Sequence, residues 1–479
     1  MKSLVYCFSI LLSLPCSTFS QSLVPDTLWH SSIGNIGNEF PIIIRRASNN
    51  TVAILGYQEL FYPYRKTTWL TRLSVSGDLI SIVPIDSSGI NLKWMAVLDS
   101  NDMIVCGTKS DSLWETKIDT TRIPHWSQTY LDSASIRDVS LCDSGNLIVT
   151  GSLHDSLFLA KISEDGVIKW LKSYSRKGHY SVDGTSVLQL STGHFVAAAN
   201  ITDTAGDFGS TAAGMYFITS SGDLDTMIVY YHNSRSPIEN PVRIVRTPNG
   251  SIVMLCNVLL GAYGYNDASL RLTDSNGKEL WYHQYGSWNL DEASDIAIDE
   301  IGNLSVCGYT KGFGIPNNRD FWVFKCDSTG NMVWNFALGS DLWEVASSIT
   351  TSSHGLIFTG SAQTLGSSFG GQTIVVRLKE LTLSVEGSHD SNPSQLSLES
   401  YPNPFNGSSI VQFKIPFRSS INLRLFNSLG QQVGVLLDVS LEPGQYKLTW
   451  HPRDLSSGVY FLRLETNNNI VTQKIIFGK

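Results

Sequence analysis

Short runs of alternating apolar and polar residues recur along this chain, each bounded by Gly, Asn, Asp or Ser. A period of two with turn residues at its ends predicts half-buried strands joined by hairpins. Two stretches show the repeating unit clearly: one runs from Gly302 through Gly308, Asp320 and Gly330 to Trp334, the other from Gly145 through Gly151, Ser156 and Gly166 to Trp170. Each is an apolar run ending in Gly, a variable loop, an alternating run, a Gly turn, and a Trp four residues later. Seven copies start near Asn50, Asn101, Gly145, Gly193, Gly250, Gly302 and Gly355. The turn glycines are Gly77, Gly166, Gly222, Gly277 and Gly330, with Thr120-Thr121 in their place in the second copy. The Trp column holds Trp126, Trp170, Trp281 and Trp334, with Ser81 and Thr226 as degenerate members. Spread over residues 22–383, this gives about 52 residues per copy, the size of a four-stranded propeller blade.

The last copy lacks its Trp strand after residues 373–379, and an orphan of that kind, Leu28-Trp29 to Gly34, stands near the start of the chain. The expected fold is therefore all-β: a seven-bladed β-propeller closed by the N-terminal strand, over residues 21–383. An open β-solenoid needs no such split repeat, and six or eight blades stay open because copies one and four are degenerate. Through Asp295, Asp299, Asn303, Gly308 and Thr310 the repeats resemble secreted bacterial propeller repeats of the seven-bladed SBBP type. The resemblance bears on fold and leaves activity open.

Residues 1–20 combine Lys2, an apolar run from Leu4 to Leu14 and small residues before Gln21, the pattern of a secretory signal peptide; the alternative is an N-terminal anchor. No later stretch is apolar for the ~18 residues a membrane-spanning helix needs. Residues 384–397 are polar, without periodicity, and read as a linker. Residues 398–479 form a further unit with five candidate strands at about ten-residue spacing, which predicts a small immunoglobulin-like β-sandwich. Four motifs in this unit, Tyr401-Pro402-Asn403-Pro404-Phe405, Phe426 to Gln431, Ser457-Gly458-Val459-Tyr460-Phe461 and the end from Lys474, closely resemble the type A C-terminal sorting domain of the type IX (Por) secretion system. The resemblance implies that secretion machinery as a partner, a Bacteroidota-like source, and a product secreted from, or held on the outer surface of, a bacterium with an outer membrane. The alternative is an accessory domain of the same shape with no sorting role.

Hydrophobic residues make up 42% and charged residues 16%, enough for a large core and too few charges for a disordered chain. The formal charge is −8, and −9 once the leader takes Lys2 away, so a dominant basic surface for nucleic acid is excluded. Five of seven cysteines remain beyond the leader. That odd number argues against a full disulfide framework, and Cys106, Cys256 and Cys307 fall in one column of the repeat as small buried hydrophobes.

Motifs for metalloprotease, Walker and dinucleotide chemistry are absent from the sequence. Gly366-Ser-Ser368-Phe-Gly370 fits the letters of a nucleophile elbow, but it lies in a strand–strand loop with no helix to follow, so it reads as a flexible loop. An acid recurs just before the first strand of several copies: Glu39, Asp183, Glu239, Glu292 and Glu344. Equivalent positions would set these carboxylates in a ring at one channel mouth, where they could hold Ca2+ through oxygen ligands or hydrogen-bond a sugar. The competing reading is that each acid caps a local turn. Aromatic loops at Tyr57–Tyr64 and at Tyr263 and Tyr265 could stack on a glycan or anchor a protein. The expected function is a secreted or surface propeller that binds a glycan or protein and needs no cofactor. The alternatives are a polysaccharide-active hydrolase or lyase, which would need two convergent carboxylates, and a plain spacer.

Overall fold

The computed structural model describes residues 26–478, except 34–37, 48–50, 62–63, 75, 86–89, 99–101, 111, 119–123, 131–133, 179, 204–210, 231–237, 260–265, 316–317, 353–354, 364–370, 380–382, 386–392, 407, 442, 451–455 and 467–468. The leader, most of the linker, Tyr263, Tyr265 and the Gly366–Gly370 loop lie outside the described residues. The described ones are all-β apart from one short 3-10 turn at Asp143–Gly145. They fall into two compact units, one built on Trp29–Asn331 and Ala337–Arg377, the other holding Leu378–Lys479.

In the larger unit, five separate four-stranded antiparallel meanders cover residues 90–130, 134–174, 180–230, 238–285 and 291–338. An eight-stranded sheet joins the meander of residues 38–85 to that of 344–379 through one bridge, Glu39 to Gly371, and the strand Asp26–Ile33 pairs with Gly371–Lys379. The sequence assigned that same strand to the last copy. Second and third strands are buried on both faces, as in Leu304–Thr310 and Asp320–Cys326, while fourth strands such as Ile168–Tyr174 alternate between half-exposed and exposed positions until the buried Tyr174. Middle strands therefore read as continuous apolar runs, and outer strands keep a polar face.

All seven leading strands carry a register shift at the same place, after Pro41, Leu92, Ile136, Gly184, Pro241, Ala293 and Ala346. An extra residue on one strand bends it and presses its backbone toward the partner. The partner residue is Gly in five of the seven meanders, taken as sheets one to seven in chain order from residues 38–85 to 344–379, including Gly151 and Gly308. A Cβ on Gly151 would stand 1.8 Å from the Ser135 carbonyl oxygen, and one on Gly308 1.9 Å from that of Glu292, so no side chain fits. In the fourth sheet the glycine has moved to the leading strand, as Gly184 opposite Ala199. In the fifth, Pro241 faces Cys256, which corrects the column read from sequence. Cys106 and Cys307 face the first residues after the shift, Trp94 and Asp295, whereas Cys256 sits one step away in the glycine column.

The Trp column and the Tyr four residues beyond it tie successive sheets together. Trp126 and Trp281 donate Nε1–H to the carbonyls of Glu164 (3.0 Å) and Ser328 (3.3 Å) in the next sheet's turn. Tyr174, Tyr230 and Tyr285 donate to the carbonyls of Gly222, Gly277 and Gly330 at 2.7, 2.8 and 2.7 Å, and Tyr130 does the same to Gly166. The apolar clusters likewise run from sheet to sheet, as where Ile43, Met95 and Val149 share one core.

In the smaller unit, two four-stranded antiparallel sheets share a core that includes Phe413, Leu425, Leu448 and Leu462. Leu383–Val385 pairs with Tyr446 to Leu448, so this unit begins just before the point where the sequence reading opened its linker.

Candidate functional site

Within a four-stranded meander, the start of the first strand, the link between the second and third, and the end of the fourth share one edge. The other two links share the opposite edge. That opposite edge is uniform: nine turn glycines from Gly77 to Gly330 have φ between 71° and 92°, a region that costs a glycine nothing. Asp274, Asp299 and Asp327 each accept two backbone N–H bonds from such turns, at 2.8–3.2 Å. The first edge carries links of unlike length and content, and variable loops on a fixed scaffold are where binding residues gather.

All five acids named from sequence stand at this variable edge, but in two registers. Glu39, Glu239 and Glu344 lie two residues before the last paired residue ahead of the shift, while Asp183 and Glu292 lie one before it. Successive strand residues point to opposite faces, so the structure divides the acids between two rows. The residue matching Glu239 in the sixth sheet is Asp291, which the sequence reading passed over. Each acid is engaged locally. Glu239 accepts from Ser269 Oγ (3.1 Å) and Arg271 (2.8 Å), and Asp183 accepts from Arg137 (2.9 Å). Glu292 accepts from Asn266 Nδ2 (2.9 Å), and Glu39 is buried beside its backbone bridge to Gly371. Asp291 accepts from Ser287 N–H and Oγ–H (2.5 and 2.6 Å), and Glu344 from the matching Ser340 (3.3 and 2.5 Å). Burial pushes the Glu344 carboxyl up to about 7, with Asp320 and Asp341 adding to the rise. Among the described residues, no three His, Cys, Asp or Glu side chains gather as a metal-holding group.

Just past the register shift, side chains form a belt from sheet to sheet. Asp138 accepts from Ser186 Oγ–H (2.7 Å) and Val187 N–H (3.1 Å), and Ser186 accepts from Ile244 N–H (3.2 Å). Asp295 pairs with Arg243 (3.1 Å) and accepts from Ser348 Oγ–H (2.5 Å) and Ile349 N–H (3.2 Å). The shift releases these backbone donors from the ladder, and the preceding sheet supplies their acceptor. Arg45 approaches Asp295 at 3.9 Å and is pushed down to about 10, first by burial and then by Arg243. This belt ties sheet to sheet.

The feature the sequence reading missed is a pair of exposed indoles. Trp288 is 80% exposed and Trp343 52%. They stand in the links that enter the sixth and seventh sheets, outside the Trp column, and those links are braced. Lys311 N–H donates to Leu290 O (2.9 Å), Glu344 N–H to Arg319 O (2.7 Å) and Gln363 N–H to Trp343 O (2.8 Å). The Arg319 guanidinium lies 4.7 Å from the Tyr309 ring centre and 5.0 Å from that of Trp343. The available signal was a lone Trp in a polar link out of phase with the repeat, in Gly-Ser-Trp288-Asn and Asp-Leu-Trp343-Glu. Of the aromatics named from sequence, Tyr57 is stacked on Phe40 (5.0 Å) with Lys66 over its ring (3.9 Å).

The separated motifs of the smaller unit pack into one place. Asn403 donates Nδ2–H to Lys474 O (2.8 Å) and accepts from Ile476 N–H (2.9 Å), as a backbone peptide would. Phe405 exchanges backbone bonds with Ile476 and Gly478 (3.0 and 2.9 Å) and is buried against Phe477 and Trp450. Tyr401 bonds Gln412 (3.0 Å), Ser409 Oγ–H reaches Pro402 O (3.2 Å), and Pro402 and Pro404 both follow cis bonds. Tyr460 donates to Ser456 O (2.8 Å) beside Gly458.

Residues 399–478 match the family model of the secretion system C-terminal sorting domain. That domain marks proteins carried by the type IX system to the cell surface or extracellular space, and this chain is exported by that route. No curated protein matches the chain. Among solved structures it is similar to the Dos1 propeller, at 12% identity and TM-score 0.45 over 74% of this chain and 95% of that one. It is also similar to virginiamycin B lyase from Staphylococcus aureus, at 12% and 0.45 over 73% and 98%. A third is the β-propeller domain of the trilobed protease from Pyrococcus furiosus, at 7% and 0.43 over 72% and 96%. Among the described residues no helix is long and apolar enough to cross a membrane.

Proposed function

We propose that residues 1–20 are a signal peptide, that 21–383 form a seven-bladed propeller closed by Asp26–Ile33, and that the tail is an immunoglobulin-like sandwich. On this reading the exported propeller binds a glycan with the variable edge of its sheets. Trp288 and Trp343 carry the reading. Covering a large side chain is worth roughly 1.5–3 kcal/mol; on these braced links Trp288 forgoes most of that gain, and Trp343, with Arg319 against its ring, part of it, until a ligand covers them. An indole face suits the C–H face of a sugar ring, and the polar neighbours Asn289, Arg319 and Asp341 suit its hydroxyls. A glycan array probed with the purified chain, Trp288→Ala and Trp343→Ala tests this. Binding should fall at least tenfold in each variant with unchanged melting; binding that survives both removes the reading.

A second reading, a polysaccharide hydrolase or lyase, is favoured by Glu344 alone. Its carboxyl, held up to about 7 beside Trp343 and near Asp320 and Asp341, keeps a proton near neutrality as a general acid must. Turnover of an array-positive polysaccharide that disappears in Glu344→Gln would support it, and no turnover would end it.

A further inference from the structure

We infer that a pocket between the second and third sheets holds the carboxylate-bearing ring of an acidic sugar, so that the glycan contains uronic acid residues. This rests on the proposal that the variable edge takes a glycan, and narrows it. The pocket is about 400 Å3 and is lined by Asn91, Lys93 and Thr108 of the second sheet and Ala134, Ser135, Ile136 and Arg137 of the third. Small-molecule sites begin at about this volume. Asn91, Lys93 and residues 134–137 stand at the starts of leading strands and Thr108 near the end of a second strand, so the pocket is at the variable edge.

The lining has the parts a uronic acid ring needs. Ala134 and Ile136 close its floor and, at 2% and 1% exposed, present almost no surface, so what a ligand meets is mainly polar. The hydroxyls of Thr108 and Ser135 and the amide of Asn91 can meet sugar hydroxyls. Cations supply the rest. Arg137 stays 51% exposed while paired with Asp183. Lys93 is exposed, and among the described residues no carboxylate pairs with it. Lys66 donates to Asn91 Oδ1 at 3.2 Å, and burial, with Lys93 adding to it, holds its ammonium below the ordinary value against the pull of Glu59. Two ammonium groups close enough to oppose each other's charge both gain from an anion between them. The positions matching Lys93 and Arg137 in the other five leading strands are Ile42, Thr185, Val242, Ser294 and Ser347. Positive charge in this row is thus confined to one neighbouring pair of sheets, in a chain whose net charge is −8. Hydroxyl and amide groups set beside the cations fit a polyhydroxylated ring better than a bare phosphate, which would use only the cations.

The test is calorimetric titration of the purified chain, in EDTA, with tetragalacturonate, its methyl ester and inorganic phosphate. The acid should bind, weaken as salt rises, and bind at least tenfold less well to Lys93→Gln, whose melting should not change. The methyl ester and phosphate should bind at least tenfold less well to the parent chain. Equal binding of acid and ester, phosphate as tight as tetragalacturonate, or an unchanged affinity in Lys93→Gln overturns the inference. A neutral glycan that binds through Trp288, with tetragalacturonate inert, overturns the pocket and leaves the wider proposal standing. Loss of every glycan overturns both.

Discussion

Glu115 is a carboxylic acid with almost nothing to pair with. It sits in the third strand of the second sheet, fully buried, opposite Cys106, whose thiol reaches Oε1 at 3.6 Å. Oε2 has no partner. Burial pushes this carboxyl from 4.5 up to about 8, and the thiol contact only moderates the rise. The folded chain therefore holds a proton that the unfolded chain releases above 4.5. Its contribution is fully present below about pH 4.5 and is lost as pH rises toward 8. The difference of about 3.5 pH units, at roughly 1.4 kcal/mol each, amounts to about 5 kcal/mol. Glu115→Gln keeps the shape and the acceptor for Cys106 and cannot ionise. It should match the parent chain at pH 4.5 and be about 5 kcal/mol more stable above pH 8. Unfolding about 350 residues carries roughly 0.7 kcal/mol per kelvin, so the melting temperatures should separate by about 7 °C. Glu344 is raised in the same direction but is common to both proteins, so it cancels in the difference. Melting followed by calorimetry from pH 4.5 to 9 decides the matter, and parallel curves would refute a neutral buried Glu115.

Three further outcomes are expected. Gly308→Ala would press a methyl group onto the Glu292 carbonyl and should cost about 3 kcal/mol or more, whereas Cys256→Ala in the same column should cost about 1; urea denaturation compares them. Asp295→Ala strips Arg243, Ser348 and the Ile349 N–H of their acceptor at once and should cost about 3–5 kcal/mol in the same assay, and a loss below 1 would show that the belt carries no load. Asn403→Ala removes two of the bonds to the last strand, which keeps its ladder to Gly458–Glu465 and its bonds to Phe405, and should loosen the end after Lys474 toward carboxypeptidase and reduce the exported fraction; unchanged export would detach the motif's packing from sorting.

What could be read from the sequence was whatever short stretches of backbone decide for themselves. Alternation in Val411 to Ile415 specifies a strand with one buried face, and Asp-x-x-Gly turns such as Asp327 to Gly330 specify hairpins through an Asx bond and a positive φ. The recurring strand pattern, the displaced Asp26–Ile33 strand and the tail motifs followed from those local signals.

The side on which a residue emerges was not local. Successive strand residues face opposite ways, so an offset of one reverses the face: Glu292 stands one position nearer the shift than Glu239 and Glu344, Asp291 holds the matching place, and Cys256 falls in the glycine column. Exposure depends on neighbours about fifty residues away: Trp281 is held by the next sheet's Ser328 carbonyl, while Trp288, seven residues on, is left 80% exposed. Composition and pattern determined the strands and the exported tail. Only packing between sheets decided which polar side chains became mortar and which rings and cations were left facing solvent, because burial is a property of neighbours that a single strand's sequence does not contain.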